Sequence, residues 1–272
     1  MGHPSFGYGQ RIIVTFPLNN NRVNSAFSLV HSDVWGPAPN FHNNQFQYFL
    51  LFVNDFSRMT WVYFLKHQFE VLDKFYAFYQ MIHTQFGKKI QVLRSNNGGE
   101  FVNKSMQEFF RKNGLIHQIS CLNTPQHNGV AKRKNRKLLE MTRTMIFYTQ
   151  VPTWFWPEVV ATSAYLLNTL PSQTLNHRTL LQILATQTNI PPIQMLPPQD
   201  FGCSVFVHIL KANKTKFNPC AEKCVFVGYV THQKGYRCYN PITHRVYVTM
   251  DCDSLESEYF FSTQLDVQGG EN

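Results

Sequence analysis

The sequence predicts an α/β fold in which a mixed sheet is flanked by helices and is followed by a small β domain. Three observations lead to this prediction. Strand and helix patterns alternate from residue 28 onward, prolines interrupt the chain at 190–200, and the segments beyond them are short and β-type. With 272 residues, 43% of them hydrophobic, the chain can bury one sizeable core and still form a second domain.

The first half of the chain contains the elements of the mixed sheet. Residues 28–36 form a short strand, and apolar segments at 47–55 and 58–66 form a hairpin. A helix follows, because apolar residues recur at intervals of three or four: Val71, Phe75, Phe78, Ile82 and Phe86. After this helix we predict a strand at 89–94, a helix at 104–113, a strand at 115–120, and helices from Gly129 and over 154–169.

Composition shifts divide the chain into five segments. The stretch "IPPIQMLPPQD" has the proline content of an extended, semi-rigid linker. We therefore predict a connector at 1–27, a core domain at 28–189, a linker at 190–200, a β domain at 201–262 and a tail at 263–272.

The charge balance favours a polyanionic partner. Lys and Arg number 25 against 16 Asp and Glu, which gives a net charge of +9. The N-terminus lacks the pattern of a secretory signal, and apolar runs such as "YFLLFV" are far shorter than the roughly 20 residues of a membrane span. We therefore expect a protein of the nucleus or cytoplasm that is not secreted, has no membrane partner and keeps its six cysteines as reduced thiols.

Asp33 is the first candidate for chemistry. It lies at the end of the first predicted strand, beside a Trp-Gly-Pro turn, where a carboxylate can hold a metal ion at a cleft. The alternative is an Asp that only caps the turn.

Five stretches of sequence resemble one known family: "HSDVWGP", "YFLLFVNDFSRMTWVYFLK", "QFGKKIQVLRSNNGGEF", "NGVAKRKNRKLLEMTRTM" and "KCVFVGYVTHQKGYRCYNP". In this order, over about residues 28–255, they resemble the integrase region of copia-type retrotransposon polyproteins. The resemblance implies a ribonuclease-H-like core and a small SH3-like β-barrel after it. It also implies DNA as a partner and homo-oligomers as the assembled form.

Integrases of this type use two aspartates and a glutamate to hold two divalent ions, Mg²⁺ or Mn²⁺, which activate the attacking oxygen. Matched position by position, these catalytic residues fall on Asp33, Asn96 and Lys132, with 35 residues between the last two. The formal charge of the triad is −3 in the family and 0 here, from −1, 0 and +1. Asp33 alone is left as a metal ligand, so we predict a member of this enzyme family that is inactive.

Neighbouring acids do not replace the missing ones. Glu100 resembles a family residue outside the triad, and Glu140 lies eight residues along the helix from Lys132. We expect Asp55 to support the hairpin turn.

The predicted helix from Gly129 begins with a dense cluster of cations. They are Lys132, Arg133, Lys134, Arg136 and Lys137. Cations are locally unfavourable in the first turns of a helix, which suggests an external polyanion. Phosphate contacts of this kind predict non-specific DNA binding that weakens with salt, whereas the alternative is a solvated charged face.

Zinc is not expected. Cys220, Cys224, Cys238 and His232 lack the paired spacing of a zinc site. The resemblance implies a His and Cys zinc module before the core, but the N-terminal segment has a lone His3 and no cysteine. We therefore interpret residues 1–27 as a remnant of that module.

Three functional hypotheses remain at this point. The first is a catalytically inactive, integrase-like pseudoenzyme from a transposable element that retains DNA binding. The second is a working polynucleotidyl transferase that joins DNA ends. The third is a host-captured protein-interaction module that reuses the fold.

Overall fold

The first half of the chain forms a five-stranded mixed sheet in the order β3-β2-β1-β4-β5. The computed structural model describes residues 22–38, 46–120, 128–189, 196–208, 220–230 and 234–262. β1 pairs antiparallel with β2 and parallel with β4, so the carboxyl ends of β1 and β4 lie at the same edge. The strands are β1 (Leu29–Trp35), β2 (Tyr48–Asn54), β3 (Thr60–Leu65), β4 (Val92–Ser95) and β5 (Ile116–Ile119).

Helices accompany this sheet, and their ends follow local sequence signals. Gly87 adopts a left-handed conformation, with φ of 61°, and ends the first helix. Asn103 caps the third by accepting a hydrogen bond from the backbone N–H of Met106 at 2.9 Å. The helices are α1 (Val71–Phe86), α2 (Gly99–Val102), α3 (Lys104–Asn113), α4 (Gly129–Thr149), α5 (Trp156–Thr169) and α6 (Leu180–Ala185).

The predicted apolar stripe of α1 covers one face of the sheet. Phe78 stacks on Phe52 of β2 with ring centroids 4.3 Å apart, and both side chains are fully buried. Ala26 and Phe27 are buried in the same core, so packing begins two residues before the boundary predicted at residue 28.

A second, antiparallel sheet has the order β10-β6-β7-β8-β9. It packs against α5, where Tyr165 stacks on Tyr229 with centroids 3.9 Å apart. The end of the predicted linker joins this contact, because Leu196 is buried and the backbone N–H of Gln199 donates to the Tyr229 hydroxyl. The strands are β6 (Cys203–His208), β7 (Ala221–Tyr229), β8 (Tyr236–Asn240), β9 (Arg245–Thr249) and β10 (Cys252–Tyr259).

The predicted fold class is confirmed, with differences in detail. α2, α6 and β10 were not predicted. The sequence signal for α6 is a capping box in which Thr179 and Gln182 exchange hydrogen bonds, and periodicity does not detect a helix of six residues. β10 is an edge strand of mostly polar, partly exposed residues, so it lacks the apolar alternation of a buried strand.

Some predictions fall on residues that the structure does not describe. They concern most of the 1–27 segment, part of the 190–200 linker, the 263–272 tail and His232. Within the described ranges, none of the helices combines the length and apolarity needed to cross a membrane. The five cysteines in those ranges form no disulfide, and Cys224 and Cys238 pack inside the second sheet's core.

We predict that Gly228→Ala weakens the packing of β7 on α5. Gly228 has φ of +125°, and a Cβ there lies 2.7 Å from the buried Thr162 Oγ1. The expected loss in the free energy of unfolding is about 2 kcal/mol, measured by chemical denaturation. The control is Gly99→Ala, where a Cβ meets nothing within 4 Å. Equal stability of the two variants would contradict this packing.

Candidate active site and basic helix

Asp33 lies at the carboxyl end of β1, at the sheet edge that β1 shares with β4. The parallel register places Val30 opposite Leu93 and His31 opposite Arg94, so Asp33 comes level with the residues just after β4. α4 packs across this edge, where the Asn128 side chain donates to the backbone carbonyl of Ser32 at 2.9 Å. The side chain of Asp33 is thereby enclosed, and the residue is only 8% exposed.

Two amide groups hold the Asp33 carboxylate, one on each oxygen. Asn96 Nδ2 donates to Oδ1 at 3.2 Å, and Asn135 Nδ2 donates to Oδ2 at 2.7 Å. Asn135 is buried on α4, whereas Asn96 follows β4. Both sides of the carboxylate therefore face neutral hydrogen-bond donors.

Asn96 has a second contact that fixes its orientation. Its Oδ1 accepts a hydrogen bond from the backbone N–H of Gly98 at 3.1 Å, so its NH₂ group must face Asp33. An aspartate at position 96 can accept from Gly98 in the same way, but it brings a second carboxylate against Asp33. Asparagine is thus the residue that satisfies both neighbours without a metal ion.

The environment of Asp33 disfavours its charged form. Burial raises the pKa of Asp33, although the hydrogen bond from Asn135 and the positive charge of Lys132 oppose the rise. The negative charge of Glu100 raises the pKa further. Glu100 therefore acts electrostatically on this site without belonging to the predicted triad.

The residues around Asp33 do not fit a two-metal centre. Such a centre needs several anionic oxygens, but both oxygens of Asp33 already accept from amide NH₂ groups, which repel a cation. Within the described parts of the chain, no three His, Cys, Asp or Glu side chains are grouped as metal ligands. Lys132 is exposed on α4 and its charge reaches Asp33.

The five cations of α4 do not share one face. Lys137 lies four residues after Arg133 and three after Lys134, and these three line a cavity together with Arg58 and Arg22. Lys132 and Arg136 lie on a different side of the helix. Arg136 Nε is 3.9 Å from Glu140 Oε1, and an exposed ion pair of this kind contributes little to stability.

Asp55 supports the β2–β3 turn, as predicted from the sequence. Its Oδ1 accepts from Arg58 at 2.7 Å and is 2.8 Å from His31 Nε2, while Oδ2 accepts from the Val23 backbone at 2.9 Å. Burial raises the pKa of Asp55, but these hydrogen bonds and the charge of Arg58 outweigh it and lower that pKa to about 2. Asp55 is therefore a structural anion.

Sequence reasoning missed the two asparagines that contact β1, Asn128 just before α4 and Asn135 within it. Asn135 stands within "AKRKNRKLLE", where the surrounding charges drew the interpretation toward DNA. The spacing could have indicated its role, because residues seven apart, such as Asn128 and Asn135, lie on the same side of a helix. A buried polar side chain on the inner side of a cationic helix requires a buried partner.

Comparison with protein families defines the class of this protein. Residues 24–125 match the integrase core domain, and residues 203–268 match the retroviral polymerase SH3-like domain. The chain is therefore an integrase-type protein with a core and an SH3-like domain. The core match ends before α4 and does not reach Lys132.

The curated relatives give the family more closely. The chain is 34% identical over 251 residues to the "Retrovirus-related Pol polyprotein from transposon TNT 1-94" of Nicotiana tabacum. That alignment covers 92% of this chain and 19% of the polyprotein, so the chain spans about a fifth of this relative's length. The protein is an integrase-like domain of the retrotransposon Pol polyprotein family, and the predicted resemblance is confirmed.

The comparison with solved structures shows a likeness of fold alone. One match is a chain of the simian T-cell lymphotropic virus intasome in complex with PP2A regulatory subunit B56 gamma. It has a TM-score of 0.51 and 12% identity, and the match covers 88% of this chain and 79% of the intasome chain. Another match is the HTLV-2 integrase catalytic core domain in complex with magnesium, in a trimeric form. It has a TM-score of 0.45 and 19% identity, and the match covers 60% of this chain and 99% of the HTLV-2 chain.

We predict that Asn135→Ala raises the pKa of Asp33 further, because the variant loses a donor that stabilises the carboxylate. The free energy of unfolding falls by about 2 kcal/mol at a pH above the folded pKa of Asp33, where the carboxylate is ionised. The loss shrinks as the pH drops below the folded pKa of Asp33, since the protonated carboxyl depends less on this donor. Carboxyl NMR titration gives the pKa, and denaturation at two pH values gives the stability.

The control is Asn113→Ala, which removes an exposed asparagine at the end of α3. A stability loss in Asn135→Ala that is equal at both pH values would mean that Asn135 contributes through packing alone.

Proposed function

We propose that this chain is an integrase-like protein that binds DNA without two-metal strand-transfer activity. The observation that carries the proposal is the pair of amide donors on Asp33. In the family, the corresponding positions hold divalent ions through three carboxylates. Here Asn96 and Lys132 occupy two of those positions, so the candidate metal ligand is Asp33 alone.

The electrostatics at Asp33 support this proposal. A divalent ion stabilises an ionised carboxylate, whereas burial in this protein raises the pKa of Asp33 and favours the neutral form. A lysine ammonium about 4 Å from a divalent ion is repelled by roughly 8 kcal/mol at an effective dielectric near 20, and less if the side chain swings away. Both oxygens of Asp33 instead accept hydrogen bonds from neutral amide groups.

The proposal of DNA binding rests on the positive charge of the chain and on its similarity to integrases. The chain carries a net charge of +9, and α4 presents exposed cations. The candidate DNA-contacting residues are Lys132, Arg133, Lys134, Arg136 and Lys137. Contacts from these side chains to phosphates give affinity without sequence preference. Homo-oligomers and a nuclear or cytoplasmic location remain predictions.

Strand transfer provides the test of inactivity. With a short duplex DNA and Mg²⁺ or Mn²⁺, we expect no joined product from the wild-type chain, because its site lacks the carboxylates that hold the two ions. The variant Asn96→Asp with Lys132→Glu restores the acidic positions and is assayed in parallel. Asp33→Ala is the control for contaminating activity. Wild-type joining that disappears in Asp33→Ala would establish a working polynucleotidyl transferase and contradict the proposal.

DNA affinity as a function of salt tests the binding half of the proposal. We expect log K for a duplex to fall linearly with log[salt] in fluorescence anisotropy. Neutralising two phosphate contacts, with Lys132→Gln and Arg136→Gln, reduces the magnitude of the slope by about 2.

The matched control for this experiment removes two charges from α3, with Lys104→Gln and Arg111→Gln, and leaves the slope unchanged. Absence of DNA binding at low salt would favour the alternative of a protein-interaction module.

A further inference from the structure

A basic pocket lies beside α4, on a different side of the helix from Asn135 and Asp33. It has a volume of about 540 Å³, within the usual size range of small-ligand sites. Three structural segments contribute its cations: α4, the β2–β3 turn and the chain before β1. The lining residues are Arg22, Arg58, Val130, Arg133, Lys134 and Lys137.

The pocket has little negative charge of its own. Its lining includes no acidic residue among those that the structure describes. Arg58 pairs with Asp55 at 2.7 Å, and Asp55 is already engaged by His31 and the Val23 backbone. Across the described ranges, no carboxylate lies within 4 Å of the remaining four cations of the pocket.

The start of α4 adds to the positive potential. Its first turn contains no acidic residue, and the Asn128 side chain does not cap it. The Arg133 guanidinium lies over Gly129, where an added Cβ would come within 3.0 Å of it. Cations near a helix N-terminus are unfavourable, so an anion at this position relieves both the helix dipole and the clustered side chains.

Lys134 is a partly buried cation of this group. Burial lowers the pKa of Lys134 to about 8, and the charges of Lys137, Arg58 and Arg22 contribute to the decrease. Part of the Lys134 population is therefore neutral near pH 8 when no anion is present. A bound anion reverses this effect, because it favours the ammonium form.

We infer that the basic pocket is a binding subsite for phosphate groups, taken from a polyphosphate or from a nucleic-acid backbone. The two sources share the same chemistry, a compact polyanion held by guanidinium and ammonium donors. For a nucleic-acid source the inference rests on the proposed DNA binding, because Arg133, Lys134 and Lys137 are also candidate DNA-contacting residues. It goes beyond that proposal in adding Arg22 and Arg58 and in placing the phosphate at a pocket that Lys132 and Arg136 do not line.

Calorimetry with sodium pyrophosphate as the probe, at constant ionic strength, tests this inference on the full chain. We expect saturable binding to the wild type that weakens at least about tenfold in the variant Lys134→Gln with Lys137→Gln, because two charge-assisted contacts are lost. The control variant, Lys104→Gln with Lys112→Gln, removes two lysines from α3 and leaves the affinity unchanged. Thermal denaturation establishes that each variant is folded, and Arg133→Gln provides an independent variant.

The outcomes distinguish failure of the phosphate-pocket inference from failure of the proposed DNA binding. Competition between pyrophosphate and duplex DNA supports the backbone as the source of the phosphates. Pyrophosphate binding without any DNA binding supports a free polyphosphate and overturns the DNA proposal alone. Wild-type protein without saturable pyrophosphate binding, or a control variant that loses as much affinity as the pocket variant, would overturn the inference.

Discussion

The enclosure of one carboxylate by two amide groups is the constraint around which this site is organised. Asp33 is 8% exposed, and an ionised buried carboxylate requires compensation. In a two-metal site the ions supply it, whereas here Asn96 and Asn135 supply hydrogen bonds instead. Buried hydrogen bonds thus connect the sheet edge to the helix that crosses it.

Helix α4 links this site to the remaining functional surface. One side of it contacts β1 through Asn128 and Asn135, and another carries the cations that line the basic pocket. Because its position on the sheet is fixed by buried hydrogen bonds, the helix presents its cations rigidly.

The sequence predicted the elements of the mixed sheet but not the order of its strands. The stripe of α1 and the hairpin were identifiable because their apolar periodicity reflects burial on one face. Family resemblance identified Asp33, Asn96 and Lys132, which lie far apart in the chain. The hydrogen bond between Asn135 and Asp33 was not predictable, because it depends on how α4 crosses the sheet edge. The basic pocket likewise requires Arg58 and Arg22 to converge on α4 from other segments.

Binding of Mn²⁺ to the wild-type protein tests the central claim most directly, because it does not depend on any DNA substrate. Electron paramagnetic resonance measures the free ion during a titration at neutral pH. The hydrogen-bonded cluster around Asp33 predicts that free Mn²⁺ rises as it does in buffer without protein. Saturable Mn²⁺ binding that is lost in Asp33→Asn, with the fold intact, would contradict the account.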